Sequence, residues 1–284
     1  MTAPKMMNPG CGDSSEDLRG HPLESVRASI RAGKYGGHTA GLGAGCLQGN
    51  VVILPEHAAL DFFRFCQRNP KPCPLVGVSD TGNPLMDTLG ADIDIRTDVP
   101  LYNVYRDGEL TDQATDVRDL WRDDFVAFVL GCSFTFDTAL MAAGISMRHI
   151  EDNKTVSMYR TNIQTVSAGP FGGDMVVSMR ALSVQNAIQA IEISARFPQA
   201  HGTPVHLGDP AAIGIDDLST PDWGDPTDME KDQIPVFWAC GVTPQVAIRQ
   251  AKPNICITHA PGRMLITDVR GSDAGCGQTI TNAT

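Results

Sequence analysis

Residues that could do chemistry are concentrated between positions 131 and 149. This stretch contains Cys132, Ser133, Asp137, Arg148 and His149. It follows the apolar run 125–130, which is typical of a buried strand, and its own pattern predicts a helix that starts near Cys132 and stops at Gly144. Backbone N–H groups at a helix start can bind a carboxylate, stabilise an oxyanion or lower the pKa of a thiol. The alternative is a purely structural unit with a buried cysteine and a capping serine.

The elements that must position these residues predict an α/β fold. Val51–Leu54 and Leu75–Val78 are typical of strands, and a helix is predicted between them over 56–66. This order is typical of a parallel sheet. We therefore expect a mixed or parallel sheet with flanking helices, and Asp107-Gly108 predicts a hairpin turn.

A different order of elements in the middle of the chain predicts a smaller inserted α+β subdomain at residues 121–200. The main α/β domain is then discontinuous, with residues 23–120 and 201–269. Residues 1–22 and 270–284 have the composition of loose tails.

A glycine-rich segment between Gly36 and Gly49 invites comparison with phosphate-binding loops. It lacks the Gly-Lys-Ser/Thr sequence, and Cys46 stands where the last glycine of a dinucleotide motif belongs. The segment therefore predicts a tight backbone loop, with the alternative that its amides line a ligand site.

Composition excludes several classes of function. The chain has 284 residues, 42% hydrophobic and 19% charged, with no apolar run long enough to cross a membrane. A net charge of -11 without a basic cluster argues against nucleic-acid binding. Eight cysteines without a C-x-x-C pair, and no signal peptide, predict a reduced cytoplasmic protein. No metal site is predicted, and the sequence leaves a homo-oligomer open.

Several long motifs together resemble the D-glutamate cyclase family, which includes bacterial hydro-lyases. The motifs are Gly131–Asp137, Arg148–His149, Met158–Asn162, Met175–Arg180, Pro235–Gln245 and Thr258–Gly262. The resemblance implies conversion of D-glutamate to 5-oxo-D-proline and water, without an organic cofactor. The expected ligand is thus a small anionic amino acid or carboxylate.

This resemblance gives each candidate residue an expected role. Cyclisation needs groups that deprotonate an ammonium, stabilise an oxyanion and protonate a departing oxygen. The catalytic candidates are Asp137, His149, His259 and Cys132. The substrate-binding candidates are Arg148, Arg160, Ser133, Tyr159 and His206, with the two guanidinium groups expected to bind carboxylates.

Three alternatives remain open. One is a hydratase or dehydratase of another small carboxylic acid, and another is a non-catalytic carboxylate-binding protein. The third is a Cys-His amidohydrolase in which the Cys132 thiolate is the nucleophile.

Overall fold

The computed structural model describes residues 17–152 and 154–271. The helices are α1 (Leu23–Arg31), α2 (Glu56–Arg68), α3 (Phe134–Ala142), α4 (Arg148–Glu151), α5 (Val184–Ser194) and α6 (Thr243–Ala251). Short 3-10 helices cover Arg118–Leu120, Pro198–Ala200 and Pro210–Ile213. Within these described ranges, no helix is long and apolar enough to cross a membrane.

The described residues form two sheets, and the larger has seven strands, in the order β2-β5-β1-β10-β3-β4, with β11 also paired to β1. Its strands are β1 (Cys46–Pro55), β2 (Leu75–Val78), β3 (Tyr102–Arg106), β4 (Glu109–Ala114), β5 (Phe125–Gly131), β10 (Cys256–His259) and β11 (Leu265–Arg270). The long central strand β1 pairs with β5 along one side and with β10 and β11 along the other.

The smaller sheet has four strands in the order β6-β7-β9-β8. They are β6 (Met158–Gln164), β7 (Asp174–Ser183), β8 (His206–Leu207) and β9 (Gln233–Ala239). Helix α5 covers this sheet, and α3 contacts both α5 and β1. Helix α3 thus lies where the two sheets approach each other, and its first turn can receive side chains from both.

The predicted α/β class is confirmed, but all strand pairs among the described residues are antiparallel, so the expected parallel pairing is wrong. Strand β5 lies between β1 and β2 and separates the two strands of the predicted β-α-β unit. The prediction failed because β1 is buried on both faces. Val51 and Ile53 pack into one apolar cluster, and Val52 and Leu54 into another on the opposite face, beneath α2 and α6. A doubly buried antiparallel strand therefore has the continuous apolar sequence that is typical of parallel strands.

The sequence predicts a hairpin turn at Asp107-Gly108 and a helix cap at Ser183, and the structure confirms both. Asp107 and Gly108 both have positive φ and connect β3 to β4, as a two-residue hairpin requires. Ser183 caps α5 because its hydroxyl accepts a hydrogen bond from the Asn186 amide at 3.2 Å. The alternating sequence of residues 93–98 predicts a half-exposed strand, and this prediction is wrong, because the structure has only an isolated bridge at Asp94 there.

The predicted division into domains remains a prediction. Strand β5 of the proposed insert joins the larger sheet, whereas β8 and β9, from outside it, join the smaller sheet. Within the predicted N-terminal tail, Leu18 is buried against α1. Residues 1–16 and 272–284 of the two predicted tails lie outside the described ranges.

Candidate active site

The turn between β5 and α3 brings the first candidate residues together. Strand β5 is buried along its whole length, and a Cβ atom on Gly131 would overlap the carbonyl oxygen of Gln199. Helix α3 starts after Ser133 and ends before Gly144, which has a φ of +82°, so the predicted turn, helix and glycine stop are confirmed. The Ser133 side chain makes no capping hydrogen bond. It faces Arg180 instead.

Asp137 and Arg180 form a buried, bidentate ion pair between α3 and β7. Arg180 Nε lies 3.0 Å from Asp137 Oδ1, and Nη2 lies 2.8 Å from Oδ1 and 2.9 Å from Oδ2. Both side chains are almost inaccessible, at 1% and 3% exposure. The remaining donors reach the hydroxyls of Ser178 and Ser133, each at 3.2 Å. The guanidinium therefore holds Asp137 through three contacts and also donates to both serines.

The electrostatics of this pair keep Asp137 ionised. Burial acts to raise the pKa of the Asp137 carboxyl, but the Arg180 charge, with His149 and the hydrogen bonds, outweighs it and lowers the pKa below its usual value. The Arg180 guanidinium also lies over the rings of Phe136 and Trp238, 5.3 Å and 5.2 Å from their centroids. These rings exclude water from the pair and favour the cation.

His149 lies beside this carboxylate, with its ring nitrogen Nε2 buried. Its Nε2 is 3.5 Å from Asp137 Oδ2, and the ring stacks on Phe134 at 6.1 Å. At 3.5 Å the contact is electrostatic rather than a good hydrogen bond, and among residues 17–152 and 154–271 the buried Nε2 has no hydrogen-bond partner. Buried polar atoms are normally paired, so an unpaired imidazole nitrogen beside a carboxylate is suited to proton exchange with a bound molecule.

Two adjoining clefts open onto His149. The first cleft is lined by residues that include Arg148, His149, Lys154, Thr155, Asp225 and Thr227. The second cleft shares Arg148, His149 and Thr227, and it reaches Arg180. Charges of both signs therefore surround the histidine, which suits a ligand that carries both an ammonium and a carboxylate group.

The structure brings four predicted site residues to this place. Asp137 is half of the ion pair, Ser133 and His149 lie beside it, and Arg148 lines both clefts. Arg148 is 39% exposed and forms an ion pair with Glu230, which a ligand carboxylate would have to replace. The carboxylate-binding role of Arg148 therefore stays a prediction.

Cys132 lies next to this group but is poorly suited to nucleophilic catalysis. It is 7% exposed, and burial raises the pKa of its thiol to about 12. Attack requires the thiolate, which such a pKa disfavours at neutral pH. The geometry therefore favours the alternatives that need no cysteine nucleophile.

The other predicted residues lie elsewhere. Tyr159 pairs with Val177 and His206 with Phe237, so both lie on the face of the smaller sheet opposite Arg180. The Tyr159 hydroxyl donates to the Leu218 carbonyl at 2.7 Å, and His206 Nε2 donates to the Asp209 carbonyl at 2.7 Å.

Arg160 and His259 are also outside the cluster around Asp137. Arg160 is 46% exposed and lies 4.0 Å from Asp174 and over the Trp223 ring. His259 is buried in the larger sheet, where its Nδ1 accepts from the Val51 amide at 3.2 Å. Burial lowers the pKa of His259 to about 4, so the ring is neutral at physiological pH.

Arg180 is the site residue that sequence reasoning did not assign, although it ends a recognised motif. Its signal was a charge in the interior of the mostly apolar strand β7, since a buried arginine requires a carboxylate partner. Among residues 17–152 and 154–271, no cluster of three or more histidine, cysteine or acidic side chains could hold a metal ion.

Comparison with known proteins places the chain in a family. The family described as D-glutamate cyclase matches residues 126–268, which include β5, α3, β7 and His149. A protein of Dinoroseobacter shibae with the description "Putative hydro-lyase" is 65% identical over 254 residues, covering 89% of this chain and 85% of the relative. A protein of Verminephrobacter eiseniae with the same description is 60% identical, covering 87% of this chain and 90% of the relative.

A solved structure of a nitrogen repressor-like protein from Methanococcus jannaschii covers 74% of this chain at 10% identity, with a TM-score of 0.34. That score is too low to indicate a shared fold. The family match and the sequence relatives, by contrast, cover the chain well. The chain therefore belongs to the D-glutamate cyclase family.

Proposed function

We propose that this protein is a hydro-lyase that cyclises D-glutamate to 5-oxo-D-proline and water. The family match and the description of the relatives as hydro-lyases support this reaction class. The observation that carries the proposal is His149, which lines both clefts and whose buried Nε2 lies 3.5 Å from the ionised Asp137 carboxylate, with no hydrogen-bond partner among the described residues.

The reaction moves two protons from nitrogen to oxygen. The substrate α-amine, once deprotonated, attacks the γ-carboxyl carbon, forming the C–N bond of a five-membered ring. A C–O bond then breaks, and the departing oxygen leaves as water with both protons that the nitrogen has lost. A single base satisfies this balance if it carries a proton to the departing oxygen twice, once from the ammonium before attack and once from the nitrogen after the C–N bond has formed.

His149 is the proposed proton carrier, and Asp137 supports it. When the ring is protonated, the Asp137 carboxylate 3.5 Å away stabilises the imidazolium. Arg180 holds that carboxylate in place through the bidentate pair. Arg148, at the edge of both clefts, is the proposed partner of a substrate carboxylate.

The test is incubation of the purified protein with D-glutamate or L-glutamate, followed by chiral chromatography of 5-oxoproline. We expect product from D-glutamate alone. We also expect His149→Asn to lower kcat by at least about 100-fold, the usual contribution of a general acid or base. His206→Asn is the matched control because that ring lies on the opposite face of the sheet.

Other outcomes point to the other functions. A folded protein that yields no product from either enantiomer would refute the cyclase reaction. D-glutamate binding without turnover would then indicate a carboxylate-binding protein, and turnover of another small acid a hydratase or dehydratase. An unchanged rate in His149→Asn would leave the reaction standing but remove His149 from it.

A further inference from the structure

Hydrogen bonds join the glycine-rich segment to the turn after β10. The Thr39 amide donates to the Gly262 carbonyl at 2.9 Å, and the Met264 amide donates to Thr39 Oγ1 at 3.0 Å. Arg263 Nε donates to the Gly36 carbonyl at 2.8 Å. Two sequence motifs that are far apart in the chain therefore form one structural unit.

This unit holds the ring of His38 in place. Gly262 has a φ of +80°, and a Cβ atom there would overlap His38 Nδ1. Glycine is thus required at position 262 both by the backbone conformation and by the histidine ring. At this point the glycine-rich segment contributes the side chain of His38. The sequence analysis had considered its backbone amides as the groups that could line a ligand site.

The His38 ring contacts a hydroxyl in the first cleft. Both ring nitrogens lie 3.4 Å from Thr155 Oγ1. The backbone of Thr155 is fixed by Asp225, whose Oδ2 accepts from the Thr155 amide at 2.8 Å and whose own amide donates to the Thr155 carbonyl at 3.0 Å. Thr155 and His149 line the same cleft.

We propose that His38 is a positioning residue of the active site, which orients the Thr155 hydroxyl toward the substrate. This inference rests on the proposed function. Burial, together with the Arg263 charge, lowers the pKa of His38, so its neutral ring can accept the hydroxyl proton. The lone pairs of Thr155 Oγ1 then face the cleft, where they accept a hydrogen bond from the substrate ammonium.

The test compares substitutions that remove or retain the hydroxyl and its partner. We expect Thr155→Val and His38→Gln each to raise the KM for D-glutamate about tenfold, the effect of one hydrogen bond to a charged group. Thr155→Ser keeps the hydroxyl and should restore a KM within about twofold of the wild type. The double variant should be no worse than either single variant, because the two residues act through one hydrogen bond.

Gly262→Ala is a second route to the same effect, since its Cβ displaces the His38 ring. Circular dichroism and the thermal midpoint establish that each variant is folded. An unchanged KM in folded Thr155→Val, or additive effects in the double variant, would overturn the role of His38 while leaving the cyclase reaction intact.

Failure of the proposed function gives a different result. If the wild type does not turn over D-glutamate, calorimetry with D-glutamate replaces KM as the readout. Weaker binding in both Thr155→Val and His38→Gln, restored in Thr155→Ser, would support the positioning role. Equal binding in these variants, or no binding by the wild type, would overturn it.

Discussion

At the scale of residues, the centre of the site is an ion pair in apolar surroundings. Asp137 and Arg180 are nearly inaccessible to water, and the Arg180 guanidinium lies over the rings of Phe136 and Trp238. A buried pair adds little to stability compared with apolar packing, but loss of one partner leaves an uncompensated charge. We therefore infer that this pair is retained for the charge that it places beside His149.

The first prediction concerns this pair. Asp137→Asn should lower the free energy of unfolding by about 3–5 kcal/mol, because it leaves the Arg180 charge buried without a counterion. Urea denaturation measures the loss. Asp152→Asn is the matched control, since that carboxylate is 46% exposed and lies 3.7 Å from the equally exposed Lys154. Asp152→Asn should lower the free energy of unfolding by less than about 1 kcal/mol. Equal losses in the two variants would contradict the interpretation that Asp137 compensates a buried charge.

At the scale of elements, the close contact between the β5–α3 turn and the 3-10 helix Pro198–Ala200 fixes the start of α3. A side chain at Gly131 has no room because the Gln199 carbonyl occupies that position. Gly144, at the other end of α3, has open space around it but a φ of +82°. The two glycines are thus required for different reasons, one steric and one conformational.

This difference predicts unequal effects of the same substitution. Gly131→Ala should cost about 3 kcal/mol through overpacking against Gln199, whereas Gly144→Ala should cost about 1 kcal/mol through backbone strain alone. Urea unfolding of both variants provides the comparison. If Gly144→Ala proves the more damaging, the close contact at Gly131 does not control the stability of this region.

Much of the site was predictable where a local signal existed. The apolar run before Gly131, the helix start and the glycine stop predicted the strand-turn-helix unit correctly, and this unit carries Ser133 and Asp137. His149 also follows in sequence after a short connection. These residues come together because they are close along the chain, and local patterns describe that range well.

Features of the site that depend on strand pairing or on long-range contacts could not be predicted from the sequence. Tyr159 and Arg180 belong to recognised motifs, yet only the register of β6 against β7 decides which side chains share a face. A shift by one residue would reverse the faces of a strand. The contact of His38 with Thr155 likewise joins residues 117 positions apart. No local pattern encodes such a contact.

At the scale of the whole molecule, two buried histidines lie in different parts of the fold. His259 is in the larger sheet, and His201 follows the 3-10 helix Pro198–Ala200 and donates through Nδ1 to the Lys71 carbonyl at 2.8 Å. Burial lowers the pKa of each ring to about 4. Both rings are therefore neutral in the native state until the solution becomes distinctly acidic.

These rings predict a loss of stability in mild acid. The unfolded chain protonates histidine near about pH 6.5, so between there and the native pKa values it binds more protons than the folded chain. The contribution of the two neutral rings to the free energy of unfolding is fully present above this pH window. It is lost as the pH falls through the window. Each ring should lower the free energy of unfolding by about 2 kcal/mol between about pH 7 and about pH 5.

Urea unfolding at these two pH values measures the loss, and proton NMR of the imidazole C2–H signals identifies the rings responsible. Both signals should remain in their neutral positions well below pH 6.5. Native-state titration of either ring near its usual pKa would contradict the origin assigned to the acid sensitivity.

The central position of β1 has a consequence for how the chain folds during its synthesis. This strand is fully buried and ends at Pro55, but its partners β10 and β11 begin only at Cys256, some 200 residues later. At a synthesis rate of about 5–20 residues per second, a nascent chain carries one side of this apolar strand unpaired for roughly 10–40 s. During that interval β1 is a natural substrate for chaperones, and any interruption of translation before β10 leaves an aggregation-prone edge.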